Sequence, residues 1–513
     1  MGLITRQRSS SRFDSTLLPR SDSQRGAGTS PGGASVARAV RQGAFWSAGG
    51  TIIFRLSNIL VMALVARMLA PEQFGIFALA VTIHAFTLSV AELGVAGAVA
   101  RSDLDIERIA PTVTTIAVGA SLIAATPMLV FAEPLAVLLG SADAAPAIRI
   151  LSIGVALIGP FAVPGALLQR DFRQRTLFKA SICGFVPGSA LLLWSSLSGG
   201  GVEGLAWSRV LAQLITGIVM IASSRRIFRP GLNREVLAPL LGFGIPLALS
   251  NLLSQVLLNV DNIFVGRMLG VVELGTYSIA FAISVWSTAV VGSMLNAVVL
   301  PGVTAVVRDG GSIIAAVVSA TGVVAWVAAP VAAFSVAFAR PLIVTVYGPQ
   351  WADGGPVLAA LASYGMVFVL GLLFANIIIA TGRTGVLFWV QAAALLALIP
   401  ALPLGIMWAG TVGAGWAHVG VVSCITLPLY LMSLRKVTGV GIGAVVRQGA
   451  WPVAAAVGSA FFAWLVTSGI GSASLTTAAG LLIFGASYAL LTRSTLVQVL
   501  PVGRILRQRV GGR

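Results

Sequence analysis

Ala66-Arg-Met-Leu-Ala-Pro-Glu-Gln-Phe-Gly75 returns two hundred residues later as Gly266-Arg-Met-Leu-Gly-Val-Val-Glu-Leu-Gly275. Each copy follows a long apolar stretch and opens another. The preceding stretches match as well. Thr51, Arg55 and Asn58 lie at helical spacing in the first, and Asn251, Gln255, Asn259 and Asn262 lie at the same offset in the second. Residues three or four apart share a helix face, so each copy carries one polar stripe on an otherwise apolar helix. A chain built twice, with a polar stripe at the same depth in each copy, points to two halves facing one aqueous cavity. Many transporters are made this way.

Composition agrees. The chain has 513 residues, 57% of them hydrophobic and only 10% charged, with a mean hydropathy of +0.96. A soluble domain carries about 25% charged residues. Apolar runs long enough to cross about 30 Å of hydrocarbon recur from Gly43 to Leu491. The alternating segments of a transmembrane barrel are missing. The expected fold is therefore an all-α polytopic membrane protein with about fourteen spans. Their limits are 43–66, 74–97, 110–131, 145–168, 178–198, 203–223, 238–262, 274–298, 314–336, 356–379, 385–407, 411–432, 449–469 and 473–492. Residues 43–230 and 231–436 form two six-helix bundles, and 437–492 adds two helices. Six spans per half is an even number, so both halves enter the membrane from the same side and are related by an axis along its normal.

The net charge of +17 invites a nucleic-acid reading, which its distribution argues against. With both termini inside, 27 of the 33 basic residues fall in inner loops and tails. Only Arg67, Arg149, Arg267 and Arg340 fall outside, as the positive-inside rule requires. Residues 1–42 are polar and rich in Ser, Arg and Gly, and are expected to be a disordered cytoplasmic tail without a signal peptide. Residues 493–513 form a second basic tail. Cys183 and Cys424 fall inside predicted helices, so no disulfide or metal framework is expected. The longest outer connection, Ala339–Gly355, is read as a loop too short to hide a soluble domain. No cofactor is expected, and the chain lacks a Walker motif for ATP.

Several segments resemble polysaccharide flippases of the Wzx type. They are Gly43-Ala-Phe-Trp-Ser47, the Ala66–Gly75 motif, Glu92-Leu-Gly94 and Leu167-Leu-Gln-Arg-Asp-Phe-Arg173. Further along come Asp261-Asn-Ile-Phe-Val-Gly-Arg-Met-Leu-Gly270, Tyr347-Gly-Pro-Gln-Trp351 and Ile379-Ala-Thr-Gly-Arg383. Together they span the first eleven predicted helices in the expected order. The subgroup they are most similar to includes colanic acid and teichuronic acid exporters. The resemblance implies membership of the multidrug/oligosaccharidyl-lipid/polysaccharide exporter superfamily, whose fold is two six-helix bundles set as a V around a cavity. It also implies polyprenyl-diphosphate-linked oligosaccharides as substrates, moved from the inner to the outer leaflet. Membrane lipids, a polysaccharide polymerase and a chain-length regulator are the implied partners.

Arg55 is the leading substrate residue. A cation at mid-span is costly, so it should face a cavity or a partner, with Thr51 and Asn58 on the same face. A guanidinium suits a diphosphate because its donors form bidentate bonds. The competing reading is a structural pair with Glu92. Arg209, nearly two turns into its span, offers a second cavity charge, or else snorkels or pairs with Glu203. Asn251, Gln255 and Asn259 complete the expected binding set. Glu92 and Asp261 are the carboxylates able to couple transport to an ion, since a drying cavity favours their protonated form. For Asp261 a helix-end pairing with Arg267 is favoured. Arg67 and Arg267 are read as shaping outer turns, and His84 and His418 as packing in cores.

Three other function classes are weaker. A drug or small-cation antiporter of the same superfamily usually has twelve spans and an acidic cavity. A membrane glycosyltransferase or polymerase needs acidic residues on sizeable outer loops. A non-transporting scaffold has no use for polar stripes on both repeats.

Overall fold

In the computed structural model, residues 54, 57–92, 106–171, 173–224, 228–294, 312–381, 383 and 385–499 are described. Residues 1–42 and 500–513, Thr51, Arg55 and the Gly43 motif lie outside the described residues; residues 493–499 of the expected second tail are helical. The helices are α1 (Ser57–Ala66), α2 (Pro71–Ala91), α3 (Ile106–Val130), α4 (Ala132–Leu139), α5 (Ala145–Arg170), α6 (Gln174–Leu197), α7 (Gly201–Ser224) and α8 (Arg234–Leu269). They continue as α9 (Val271–Met294), α10 (Ile313–Ala337), α11 (Ala339–Tyr347), α12 (Gly354–Ala380), α13 (Gly385–Val421), α14 (Leu427–Thr438), α15 (Ile442–Thr467) and α16 (Ala473–Val499).

Among the described residues, eleven helical segments are long and apolar enough to cross a bilayer. One of them, Gly385–Thr438, is two crossings rather than one. It leaves helical geometry at Ala409 and Gly410, with φ/ψ of −147°/30° and 58°/−138°. Gly405 and Gly413 then pack backbone to backbone, as the arms of an antiparallel hairpin must. Two shorter apolar helices, Ser57–Ala66 and Val271–Val285, lie where the first and eighth spans are read from the sequence.

The helices sort into two bundles. In the first half α2 packs on α3, α5 and α7, α3 packs on α5, and α6 packs on α7. In the second half α12 is central, with α9, α10, α13 and α14 around it, and α8 packs on α13. The two C-terminal helices attach to the second half, α15 on α10 and α16 on α15 and α11. Tyr488 of α16 donates a 2.8 Å hydrogen bond to the Trp326 carbonyl. Its ring stacks on Phe484 at 6.0 Å. An aromatic with one polar tip is satisfied by such a single hydrogen bond.

The halves meet mainly through α2 on one side and α8 and α9 on the other. The repeated motif supplies this contact. A Cβ on Gly75 would overlap the Val271 carbonyl, and a Cβ on Gly275 would overlap the Pro71 carbonyl. Each such Cβ would also sit 3.0 Å from the backbone nitrogen of the other glycine. Two elements that touch through the same residue are related by a two-fold between them, which is the pseudo-symmetry expected from the offset. One continuous core joins both halves here, with Val65, Leu69, Phe74 and Leu79 packing with Leu274, Tyr277, Ile343 and Trp351. Gly75→Val should therefore force the halves apart. Overpacking of this kind costs about 1–3 kcal/mol or more, because carbonyls cannot move aside as a side-chain tip can. The expected result is a lower melting temperature of the purified protein, with the same loss for Gly275→Val. Two variants as stable as the parent would contradict the close contact.

Two sequence readings change. The Ala339–Gly355 segment is not a loop. It holds α11 and a 3-10 turn over Pro349–Trp351, and Trp351 is fully buried. The seventh span also runs further than expected, since α8 carries straight through to Leu269 and includes Arg267 in its last turn.

Candidate functional site

Charged and polar groups are rare inside the bundles, so each is a candidate for function. In the first half they gather between α2, α5 and α7. Arg209 projects from α7. Its side chain is exposed. No hydrogen bond or ion pair holds it among the described residues, and Glu203 is not its partner. His84 of α2 lies within electrostatic reach of Arg209. Its Nδ1 is buried without a partner among the described residues. Gln213, one turn beyond Arg209, donates to the Gly154 carbonyl at 2.8 Å. Gly154 admits both neighbours, because a Cβ there would stand 3.2 Å from Gln213 Oε1 and 3.6 Å from the His84 ring.

The second half holds an acidic counterpart. Asp261 is 1% exposed. Its Oδ2 accepts a 2.7 Å hydrogen bond from the Tyr277 hydroxyl and lies 3.4 Å from His418 Nε2. Its Oδ1 accepts from the Asn262 backbone N–H at 3.0 Å. The His418 ring packs at 5.1 Å from Tyr364. Both rings line a cavity of about 180 Å³ with Asn376, Gln391 and Tyr430 among its walls. A buried carboxylate is tolerable only with such partners. Asn262 carries the cluster to the other half, donating to Thr82 Oγ1 of α2 at 3.1 Å. The carboxylate, its histidine and the inter-half contact are thus linked through two adjacent residues.

The expected site residues separate into groups. Thr51 and Arg55, and with them the Arg55–Glu92 pairing, lie outside the described residues. Asn58 is exposed on α1, and Asn251, Gln255 and Asn259 are half-buried along α8. Asn259 Nδ2 donates to the Gln255 carbonyl at 2.9 Å, so this stripe is partly satisfied within its own helix. No hydrogen bond joins it to Asn58 among the described residues. Glu92 is exposed at the C-terminal end of α2, where its N–H closes on the Leu88 carbonyl. Asp261 does not pair with Arg267, because Arg267 points away and donates to the Leu138 carbonyl at 2.6 Å. His418 is more than a packing residue, since it faces Asp261. His84 likewise lies within electrostatic reach of an ionisable group, Arg209, though as a like charge rather than a partner. Sequence spacing does not link either pair, since the two members lie on different spans. The available signal was that ionisable residues inside a membrane bundle seek one another.

A family described as "Polysaccharide biosynthesis protein" matches residues 64–355. The chain is 22% identical over 405 residues to the lipopolysaccharide biosynthesis protein WzxC of Escherichia coli (strain K12), covering 77% of this chain and 81% of that one. It is 27% identical over 356 residues to the succinoglycan biosynthesis transport protein ExoT of Rhizobium meliloti (strain 1021), covering 69% and 72%. Among solved structures, the lipid II flippase MurJ in an inward closed conformation superposes with a TM-score of 0.72 at 13% identity, over 88% of this chain and all of that one. An inward-facing multidrug resistance MATE family transporter gives 0.57 at 17% identity, over 74% and 94%. At these identities the structural likeness is one of fold: two helical bundles with a shared membrane plan.

Proposed function

This chain belongs to the polysaccharide biosynthesis protein family, and from that premise we propose that it flips a polyprenyl-diphosphate-linked oligosaccharide. The movement runs from the inner to the outer leaflet of the cytoplasmic membrane by alternating access, in the service of cell-surface polysaccharide assembly. In this reading both termini lie in the cytoplasm, which the arginine distribution supports. The packed end carrying Arg67 and Arg267 then faces outward.

The observation that carries this reading is Arg209, a guanidinium on a membrane helix with an exposed side chain and no hydrogen bond or ion pair among the described residues. Leaving such a charge unpaired is costly in a bilayer, and an anionic ligand offsets that cost. A diphosphate presents the paired oxygens that a guanidinium grips with two parallel hydrogen bonds. Gln213 lies one turn away and His84 within electrostatic reach, and Arg55 and Thr51, outside the described residues, are proposed as further ligands from the first span. Asn58, Asn251, Gln255 and Asn259 supply neutral hydrogen-bonding groups suited to sugars. Asp261, with His418 and Tyr277, couples the cycle to a cation, and Glu92 is the second candidate for that role. A polymerase and a chain-length regulator receive the product.

Binding of short-chain polyprenyl ligands to the purified protein tests the headgroup claim. The diphosphate should bind at least about tenfold more tightly than the monophosphate, the difference of one charge-assisted hydrogen bond or more. Equal affinities would remove the diphosphate from the account.

A further inference from the structure

The outward end is closed by two reciprocal contacts that the first repeat alone does not announce. Phe131-Ala-Glu-Pro-Leu135 and Phe338-Ala-Arg-Pro-Leu342 form a second internal repeat. Each starts a short helix, α4 and α11. The two N-caps share a conformation, with φ/ψ of −100°/25° at Phe131 and −111°/23° at Phe338. Both helices end at a glycine with positive φ, 118° at Gly140 and 113° at Gly348. The last turn of any helix leaves carbonyls without an intrahelical partner.

Those carbonyls are taken by the paired arginines, each from the opposite half. Arg67 of the first half donates to Thr345 O at 2.5 Å and Val346 O at 3.2 Å, both in the last turn of α11. Arg267 of the second half donates to Leu138 O at 2.6 Å, in the last turn of α4. A cation at a helix C-terminus is favoured by the helix dipole as well as by the hydrogen bonds. Around Arg67 the contact is reinforced. Trp351 Nε1 and Gln350 Nε2 donate to the Ala66 carbonyl at 2.8 and 3.0 Å. Around Arg267 the backbone closes directly, since a Cβ on Gly140 would meet the Gly266 carbonyl oxygen at 2.8 Å. At the other end, the inter-half contacts gather where the chain enters α8. Thr112 and Thr115 hold Asn233 and Gly231 there, and the exposed Arg108–Glu235 pair lies beside them.

We infer that Arg67 and Arg267 are a two-fold pair of outer-gate residues, each capping the short helix of the opposite half, and that both caps must break for the cavity to open outward. The inference rests on the alternating-access reading above. Two discrete packings of one interface are what such a transition requires. Because the acceptors are backbone carbonyls, the latch survives changes in the acceptor side chains and is lost only through the arginines. Arg67 and Arg267 act through the position of the two halves and not through substrate.

The test has two arms, both in a background where Cys183 and Cys424, free and exposed, are alanine. In the first, spin labels at Asp143→Cys and Asp353→Cys report the distance between the outer ends. Arg67→Ala and Arg267→Ala together should raise the longer-distance population by at least about tenfold, with smaller rises for each alone, and Arg→Lys at both should restore much of the short distance. An unchanged distribution in the folded double variant overturns the inference. In the second arm, Arg67→Cys and Thr345→Cys are bridged by a short bifunctional methanethiosulfonate. Export should stop on bridging and return on reduction. Export at the unbridged rate overturns the inference, and this arm stands even where the double alanine variant does not fold. The distance arm uses no substrate, so it reports on the gate even if the flippase reading fails.

Discussion

Arg209→Ala is expected to abolish export of the lipid-linked oligosaccharide while the amount of protein in the membrane stays unchanged. Two features lead to this pairing of outcomes. The guanidinium has no hydrogen bond or ion pair among the described residues, so truncation removes no internal partner. Its side chain is also exposed, so truncation leaves no buried cavity. The loss falls on ligand binding alone. One charged hydrogen bond is worth about 1.5–3 kcal/mol, or roughly ten- to hundredfold in affinity, and a bidentate grip doubles the number of bonds lost. Arg209→Lys should recover part of the activity, because a point charge attracts a diphosphate without matching its geometry. Quantifying surface polysaccharide against protein level in cells decides the matter. A fall in protein level would make Arg209 a structural residue, and normal export would move the headgroup to Arg55.

Replacing Asp261 should divide by substituent. Asp261→Ala leaves the Tyr277 hydroxyl without its acceptor and His418 without the carboxylate it faces. A buried hydroxyl left unpaired costs about 1–3 kcal/mol, so the variant should be clearly destabilised. Asp261→Asn keeps an acceptor for Tyr277 and nearly the same volume, so it should fold. It cannot, however, exchange between a charged and a neutral form. The expected phenotype is a well-folded protein whose export no longer responds to an imposed ion gradient. The Asn262–Thr82 hydrogen bond lies one residue away and spans the two halves, which gives the carboxylate's state a route to the inter-half contact. Measured melting temperatures and gradient-driven export separate these outcomes. An Asn variant that still follows the gradient would exclude Asp261 from coupling and leave Glu92 as the candidate.

The membrane architecture was legible because it depends on length and polarity. Runs of apolar residues became spans, and the recurrence of Arg-Met-Leu with a closing glycine marked the two-fold. The reciprocal approach of Gly75 and Gly275 is the structural meaning of that recurrence. The short helices were less legible, since eight or nine residues beside long spans carry no membrane-length signal. Their shared Phe-Ala-x-Pro-Leu was present in the sequence, but a five-residue match gains meaning only when the two copies are seen facing opposite arginines. The polar clusters were the least legible. Asp261 and His418 sit on different spans, and so do His84 and Arg209. Only tertiary packing says which lone ionisable group meets which. Reading Asp261 with Arg267 failed for a related reason. The two residues are near in sequence on α8, but Arg267 in the last turn finds free carbonyls across the interface, while Asp261 is buried against α9 and α13.

The most direct measurement is flipping by the purified protein in sealed vesicles of bacterial phospholipid. A polyprenyl-diphosphate oligosaccharide is placed in both leaflets, and an impermeant glycosidase is added outside. If this chain is a flippase for that lipid, the pool first protected in the inner leaflet becomes cleavable in vesicles containing the protein, and Arg209→Ala returns it to protection. Cleavage that stops at the outer-leaflet share, at the same level as in protein-free vesicles, would contradict the account.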